Sequence, residues 1–288
     1  MGILIEQLAE IRASEPERIS RALALRPRAD LAATNRLLVI ACDHPARGAL
    51  GAGSDPMAMA SREDLLRRCV TALSRPGVNG FLGSADLIED LALLGALDGK
   101  LVWGSMNRIG LQGAAFEIDD RFGGYDARGI VTAGLNGGKM LTRIDYDDPA
   151  TARTLEASAH AIDALADRGL NAMIEPFISR REDGRVVNDL STDAVIRSIA
   201  VAQGLGHSSA HTWLKLPSVA DMDRVMESTT LPSLILGGEV SENPEAARAS
   251  WGRALALPNV RGLVIGRSLL YPPDDNVEAA VDNAVELL

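Results

Sequence analysis

Two lysines, Lys139 and Lys215, and two carboxylates, Asp43 and Glu175, stand within or at the end of short apolar runs. An unpaired charge is costly in such a place, so each demands a partner or a use. Lys215 is the most informative. In His211-Thr212-Trp213-Leu214-Lys215-Leu216-Pro217 a period of two puts His211, Trp213 and Lys215 on one face, and Leu214 and Leu216 on the other. The aliphatic face suits outer helices, so Lys215 is expected to point into the interior of the sheet. Burial disfavours the charged form of a lysine, and attack on a carbonyl carbon requires the neutral amine. Lys139 or Arg143 would be the second cation that strengthens this effect. Asp43 and Glu175 supply what carbon–carbon cleavage at an iminium needs besides the amine: a base for the hydroxyl proton and a proton shuttle at the carbinolamine. The competing explanation is structural, with Lys215 paired to Glu175 or Asp43 as a buried ion pair.

A second signal is glycine. Leu234-Ile235-Leu236-Gly237-Gly238 and Val264-Ile265-Gly266-Arg267-Ser268 end two consecutive apolar runs. Glycines let backbone N–H groups approach an anion closely, and Arg267 would add a charge-assisted contact. Gly237, Gly238, Gly266 and Arg267, with Arg143 and His44, are therefore the expected substrate- or phosphate-binding set. Tight turns that merely close the fold would use the same glycines. The segment Ser179-Arg180-Arg181-Glu182-Asp183-Gly184-Arg185 suggests a hairpin excursion whose Arg180 and Arg181 either reach a second phosphate or substrate carboxylate, or are simply solvated. The four histidines, His44, His160, His207 and His211, show no ligand spacing, so neither a metal site nor a cofactor is expected.

These residues need elements to position them. Apolar runs recur at Leu37–Cys42, Val78–Leu82, Leu101–Gly104, Met140–Ile144, Leu170–Phe177, Trp213–Leu216, Ser233–Leu236 and Gly262–Ile265. Between them lie amphipathic helical patterns, at Arg62–Leu73, Pro149–Arg168, Asp193–Gly204, Val219–Ser228, Pro244–Leu255 and Asn276–Leu287. Short strands alternating with helices indicate a parallel sheet covered on both faces. Eight of them indicate a (β/α)8 TIM barrel rather than an open sheet, and the first run ends in Cys42-Asp43-His44-Pro45 rather than a GxGxxG turn. Catalytic groups then gather where the strands end. Two helices, Ile3–Arg12 and Pro16–Leu25, precede the barrel and could cover its bottom or a neighbouring subunit. The expected organisation is one domain, with an N-terminal helical extension over residues 1–35 and the barrel over 36–288. The formal charge of −10 argues against nucleic acid or an anionic membrane as partner. No run reaches the ~18 apolar residues of a membrane span, the N-terminus lacks a secretory signal, and Cys42 and Cys69 fit core thiols. A cytoplasmic homo-oligomer is the expectation.

Taken together, these motifs resemble the class I, Schiff-base aldolases built on TIM barrels. Tagatose-bisphosphate aldolase is the nearest in flavour, with deoxyribose-phosphate and archaeal-type fructose-bisphosphate aldolases as cousins. The resemblance rests on Ala41-Cys42-Asp43-His44, Lys139 with Asp145-Tyr146-Asp147-Asp148, Ile174-Glu175-Pro176, Leu214-Lys215-Leu216, Gly237-Gly238 and Gly266-Arg267. It implies a Schiff base on Lys215, an auxiliary Lys139, a proton shuttle at Glu175, an acid/base or hydroxyl-binding Asp43, and phosphate held by Gly238 and Arg267. The chain departs at Leu234, where the deoxyribose-phosphate enzymes carry a second lysine, and near Arg143, which stands in place of an archaeal-type tyrosine. The implied substrate is a small phosphorylated sugar or sugar acid; the deoxy-phosphogluconate of bacterial inositol catabolism is one candidate. A phosphosugar isomerase or epimerase using Glu175 as base, and a sugar-phosphate-binding protein without turnover, are the other two readings.

Overall fold

Every residue of β1 (Leu37–Cys42) is buried, because this strand has apolar neighbours on both faces. Leu37, Val39 and Ala41 join an inner cluster with Leu82, Trp103, Met173, Leu234 and Val264. Leu38, Ile40 and Cys42 pack outward among the helices. The same two-residue alternation runs through β2 (Gly80–Gly83), β3 (Leu101–Ser105), β4 (Gly137–Ile144) and β5 (Asn171–Glu182). It continues, after the short β6 (Arg185–Asn188), in β7 (Thr212–Pro217), β8 (Ser233–Leu236) and β9 (Val260–Ile265). In this computed structural model, which describes residues 2–241 and 243–288, parallel pairing runs β1-β2-β3-β4-β5-β7-β8-β9 and returns from β9 to β1. The result is the expected closed eight-stranded (β/α)8 barrel, with β6 appended outside the ring.

The outer helices are α3 (Arg62–Ser74), α4 (Ala85–Leu93), α5 (Ala127–Thr132), α6 (Ala150–Ala166), α7 (Thr192–Ala202), α8 (Met222–Glu227), α9 (Pro244–Leu255), α10 (Arg267–Leu270) and α11 (Val277–Val285). Side-chain caps set several of their starts. Ser61, Ser191 and Asn243 accept from the N–H groups of Asp64, Ala194 and Ala246, and Pro244 opens α9. α4 and α5 are not among the helices that the periodicity marks. The pattern over Val219–Ser228 gives only Met222–Glu227, since Asp221 rather than Val219 caps the helix. β2 starts at Gly80 instead of Val78. Asn79 turns its side chain to the backbone N–H of Leu38 at 3.0 Å, closing the gap between strands β1 and β2.

α1 (Ile3–Ser14) and α2 (Glu17–Leu25) lie on the barrel flank, against α3 and α4. Asp90 on α4, which is buried, accepts from Arg12 at 2.8 Å and Arg62 at 2.6 Å. Arg26 then reaches under the barrel to the carbonyls of Lys100 (3.1 Å) and Gly134 (2.8 Å). The residues packed on the inner cluster from this side are Ala29 and Leu31. The bottom is therefore closed by the segment after the two helices, not by the helices themselves.

Candidate active site

The strand alternation carries past the apolar layers and delivers the polar groups to one place. On β1 the inward positions 37, 39 and 41 lead to Asp43. On β4 they are 137, 139, 141 and 143, hence Lys139 and Arg143; on β5, Met173, Glu175 and Phe177; on β7, Trp213 and Lys215. All of Asp43, Lys139, Glu175 and Lys215 line a cavity of about 850 Å3 at the C-terminal end of the strands.

Within it Glu175 is held between the two lysines. Lys215 Nζ donates to its Oε1 at 2.6 Å, and Lys139 Nζ lies 2.5 Å from its Oε2. Lys139 also reaches Asp43 Oδ2 at 3.2 Å. Asp43 accepts further from Arg108 at 2.6 Å and Ser105 at 3.0 Å, while Arg108 also donates to the Asp43 carbonyl. The side chains of this group are nearly inaccessible; that of Lys215 is 4% exposed. Burial would raise the Glu175 carboxyl, but Lys139 and Lys215 outweigh it and hold it at about 2. Asp43 is likewise held well below the carboxylate range: burial is opposed by Lys139 and Arg108. Burial lowers the Lys139 ammonium, against the pull of Asp43 and Glu175. Both carboxylates are thus ionised and hydrogen-bonded, within proton-transfer distance of amines.

The opposite wall is built by β8 and β9. Gly238 adopts a left-handed φ of 70°, which a glycine takes without strain. A Cβ on Gly266 would strike the Ala41 carbonyl and crowd the His44 ring, so only glycine allows β9 to end this close to β1. His44 is buried, with its Nδ1 unpartnered among the described residues, and burial lowers its imidazole to about 3, so it is neutral at ordinary pH. Arg267 lines the same wall; among the described residues its Nε has no partner, and its ion pair to the exposed Glu239 is long at 3.4 Å.

Several residues emerge that pattern reading did not single out. The loop between β3 and α5 folds over the cavity edge and is fastened by paired charges. Arg47 pairs with Asp120 and donates to the carbonyls of Asn107 (2.8 Å) and Gly110 (2.9 Å). Asn107 clasps the backbone of Leu141 on β4 with both ends of its amide. Glu117 meets Arg143 at 3.0 Å. Arg143 accordingly stands apart from the lysine pair. The hairpin of β5 and β6 forms through Asp183 (φ 48°) and Gly184 (φ 77°), a two-residue turn with left-handed backbone at both positions. Arg180 turns to Glu182 at 2.6 Å, and Arg181 to the Ala115 carbonyl at 2.7 Å and Asp148 at 3.3 Å. Neither lines the cavity; the hairpin residues that do are Arg185 to Asn188. Among the described residues no group of three or more His, Cys, Asp or Glu side chains is arranged to hold a metal ion.

The Cgl0159-like family model matches residues 35–285. The chain belongs to that family. A crystal structure of Cgl0159 from Corynebacterium glutamicum is 52% identical, with a TM-score of 0.96 over 100% of this chain and 97% of that one. More distant members of the fold include a Schiff-base-forming fructose-1,6-bisphosphate aldolase, 15% identical with a TM-score of 0.65 over 93% of this chain and 99% of that one. An archaeal fructose-1,6-bisphosphate aldolase, whose catalytic lysine is covalently bound to the carbinolamine intermediate of its substrate, gives 15% identity and a TM-score of 0.66 over 93% and 98%. At that identity the likeness is one of fold. No curated protein matches the sequence. No helix among the described residues is long and apolar enough to cross a membrane.

Proposed function

We propose that this protein is a class I aldolase acting on a small phosphorylated sugar or sugar acid through a Schiff base on Lys215. The observation that carries this reading is the Lys139–Glu175–Lys215 bridge at the cavity floor, with contacts of 2.5 and 2.6 Å. Buried ion pairs are poor stabilisers relative to apolar packing, so three such charges side by side call for a chemical use. In the proposed sequence Lys215 passes a proton to Glu175 and attacks the substrate carbonyl carbon. Proton affinity at Glu175 rises as Lys215 loses its positive charge, which makes the carboxylate a matched acceptor at that moment. Glu175 returns the proton to the carbinolamine hydroxyl, and water leaves. The iminium then takes up the electron pair of the breaking carbon–carbon bond while a carboxylate, Asp43 or Glu175, accepts the proton of the neighbouring hydroxyl. Protonation of the enamine and hydrolysis of the iminium restore the amine. Lys139 keeps both carboxylates ionised. Gly237, Gly238, Gly266 and Arg267 would hold the phosphate, with neutral His44 as a hydrogen-bonding neighbour. The aldolases that share the fold support the reading by analogy of architecture.

The test is trapping. The protein is incubated with dihydroxyacetone phosphate, or separately acetaldehyde, then reduced with borohydride and mapped by mass spectrometry. A reduced adduct on Lys215, absent from Lys215→Ala and unaffected by chelator, is expected. Folded protein that forms no adduct with any candidate carbonyl overturns the aldolase reading.

A further inference from the structure

The two carboxylates of the cavity floor are held in different ways. Both oxygens of Glu175 meet an ammonium, Oε1 that of Lys215 and Oε2 that of Lys139. Every donor to the Asp43 side chain reaches Oδ2 instead: Ser105 Oγ at 3.0 Å, Arg108 NH2 at 2.6 Å and Lys139 Nζ at 3.2 Å. Asp43 Oδ1 accepts from none of the described residues, yet it is not among the polar atoms sealed in the interior without a partner. It is therefore open to the cavity that Asp43 lines, and within this carboxylate pair it is the oxygen left for a substrate.

Such one-sidedness requires the carboxylate plane to be fixed, and Arg108 is built to fix it. Its NH1 donates to the Asp43 carbonyl at 2.5 Å while NH2 holds Oδ2. One planar guanidinium thus grips the backbone and the side chain of the same residue, tying the carboxylate to the end of β1. Arg108 is itself anchored. Two residues earlier, the Met106 N–H donates to the Lys139 carbonyl at 2.9 Å, and the Met106 carbonyl accepts from Gly124 at 2.8 Å. The Arg108 N–H reaches the Arg121 carbonyl at 3.3 Å, and Asn107 between them clasps Leu141. The segment after β3 therefore runs fastened to β4 on one side and to residues 121–124 on the other. Both terminal nitrogens of Arg108 are spent on Asp43, so it acts through that residue.

Resting on the Schiff-base reading above, we propose that Arg108 is a positioning residue, which with Ser105 fixes Asp43 so that Oδ1 serves as the base beside the iminium on Lys215. Glu175, with both oxygens on ammonium groups, keeps the proton traffic of the carbinolamine. In cleavage Oδ1 takes the proton of the substrate hydroxyl. The O–H electron pair becomes the second bond of the aldehyde carbonyl, and the carbon–carbon pair moves into the iminium to give the enamine. With dihydroxyacetone phosphate alone, Oδ1 takes a proton from the hydroxymethyl carbon beside the iminium, and the C–H pair gives the same enamine. Protonation of that carbon from Asp43 reverses the step.

Two measurements with dihydroxyacetone phosphate separate the steps. Borohydride trapping reads formation of the iminium on Lys215. Exchange of the hydroxymethyl hydrogens in D2O, followed by proton NMR with Lys215→Ala as background, reads removal of the proton beside it. The wild type is expected to do both. Arg108→Gln and Arg108→Lys should trap to the wild-type extent and exchange about a hundredfold more slowly, the cost of misplacing a reacting group by ~1 Å. The lysine keeps the charge but not the planar two-pronged grip, so its failure to rescue marks positioning rather than charge. Ser105→Ala removes one neutral donor from Oδ2 and leaves every charge in place; it should slow exchange about tenfold with trapping unchanged. Exchange at the wild-type rate in either arginine variant, trapping and exchange lost in equal measure, or a wild type that traps without exchanging overturns the proposal and leaves the Schiff base standing. Where the arginine variants do not fold, unchanged exchange in Ser105→Ala overturns it. A wild type that forms no adduct overturns the aldolase reading itself.

Discussion

Replacing Lys139 with methionine, which has nearly its length and no charge, isolates the cation that Asp43 and Glu175 share. Its ammonium lies 2.5 Å from Glu175 and 3.2 Å from Asp43. At an effective dielectric near 20 these contacts attract by roughly 5–7 kcal/mol each before desolvation, and burying the ammonium costs several kcal/mol. Removing one partner from a buried pair typically destabilises by about 3–5 kcal/mol. Asp43 keeps Arg108 and Ser105, so the lower end is expected for Lys139→Met at pH 7. The loss should also depend on pH with a definite sign. Glu175 titrates at about 2 in the folded protein against an ordinary 4.5, a difference worth roughly 3 kcal/mol. Being a depressed carboxyl, it contributes that stability above 4.5 and loses it as pH falls toward 2. Without Lys139 its folded value rises, so less remains to be lost on acidification. Urea midpoints for the two proteins should therefore be furthest apart near neutrality and converge as pH falls through the range 4.5 to 2. A difference below about 1 kcal/mol at pH 7, or one unchanged across that range, would refute this account of the shared cation.

His44 offers a second check. Burial holds its imidazole at about 3, so its ring protons should show no titration by NMR between pH 5 and 8, whereas a midpoint near 6.5 would contradict the burial. Because the unfolded histidine takes up a proton that the folded one refuses, its contribution to stability should decline as pH falls from 6.5 toward 3. Asp90→Asn weakens the joint that Arg12 and Arg62 make on α4. Amide exchange over residues 3–14 is expected to speed up while ligand binding in the cavity stays as it was; unchanged exchange would show that apolar contacts alone hold the first helix.

What the sequence discloses here follows from periodicity. Lys139, Lys215 and Glu175 could be placed because each sits in a strand, where the two-residue repeat dictates the face, and Asp43 because it follows one directly. The glycines after β8 and β9 could be placed for the same reason. Arg108, Glu117, Asp120 and Arg47 belong to aperiodic segments, and their partners lie on other segments of the chain, so only the closed ring brings them together. Arg143 illustrates the boundary. Its inward direction was legible, yet its partner Glu117 was not, and with it the separation of Arg143 from the lysine pair. Arg180 and Arg181 stay open in the sequence for a related reason: the Asp183-Gly184 turn is readable, but the Ala115 carbonyl and Asp148 that hold Arg181 lie on other segments of the chain.

β4 carries Lys139, Leu141 and Arg143 on its inner face, and Met140, Thr142 and Ile144 on the other. Inserting or deleting one residue in the strand would exchange the two sets at a stroke, turning both cations into the apolar shell and emptying the floor and the rim together. The lysine at the floor and the arginine nearer the rim are thus written on one strand in one reading frame. The β3–α5 loop and the β5–β6 hairpin lie outside that frame, so a change in the length of either leaves the register of the strand beneath as it was. Tolerance of length changes should accordingly drop sharply at Gly137 and recover only after Ile144.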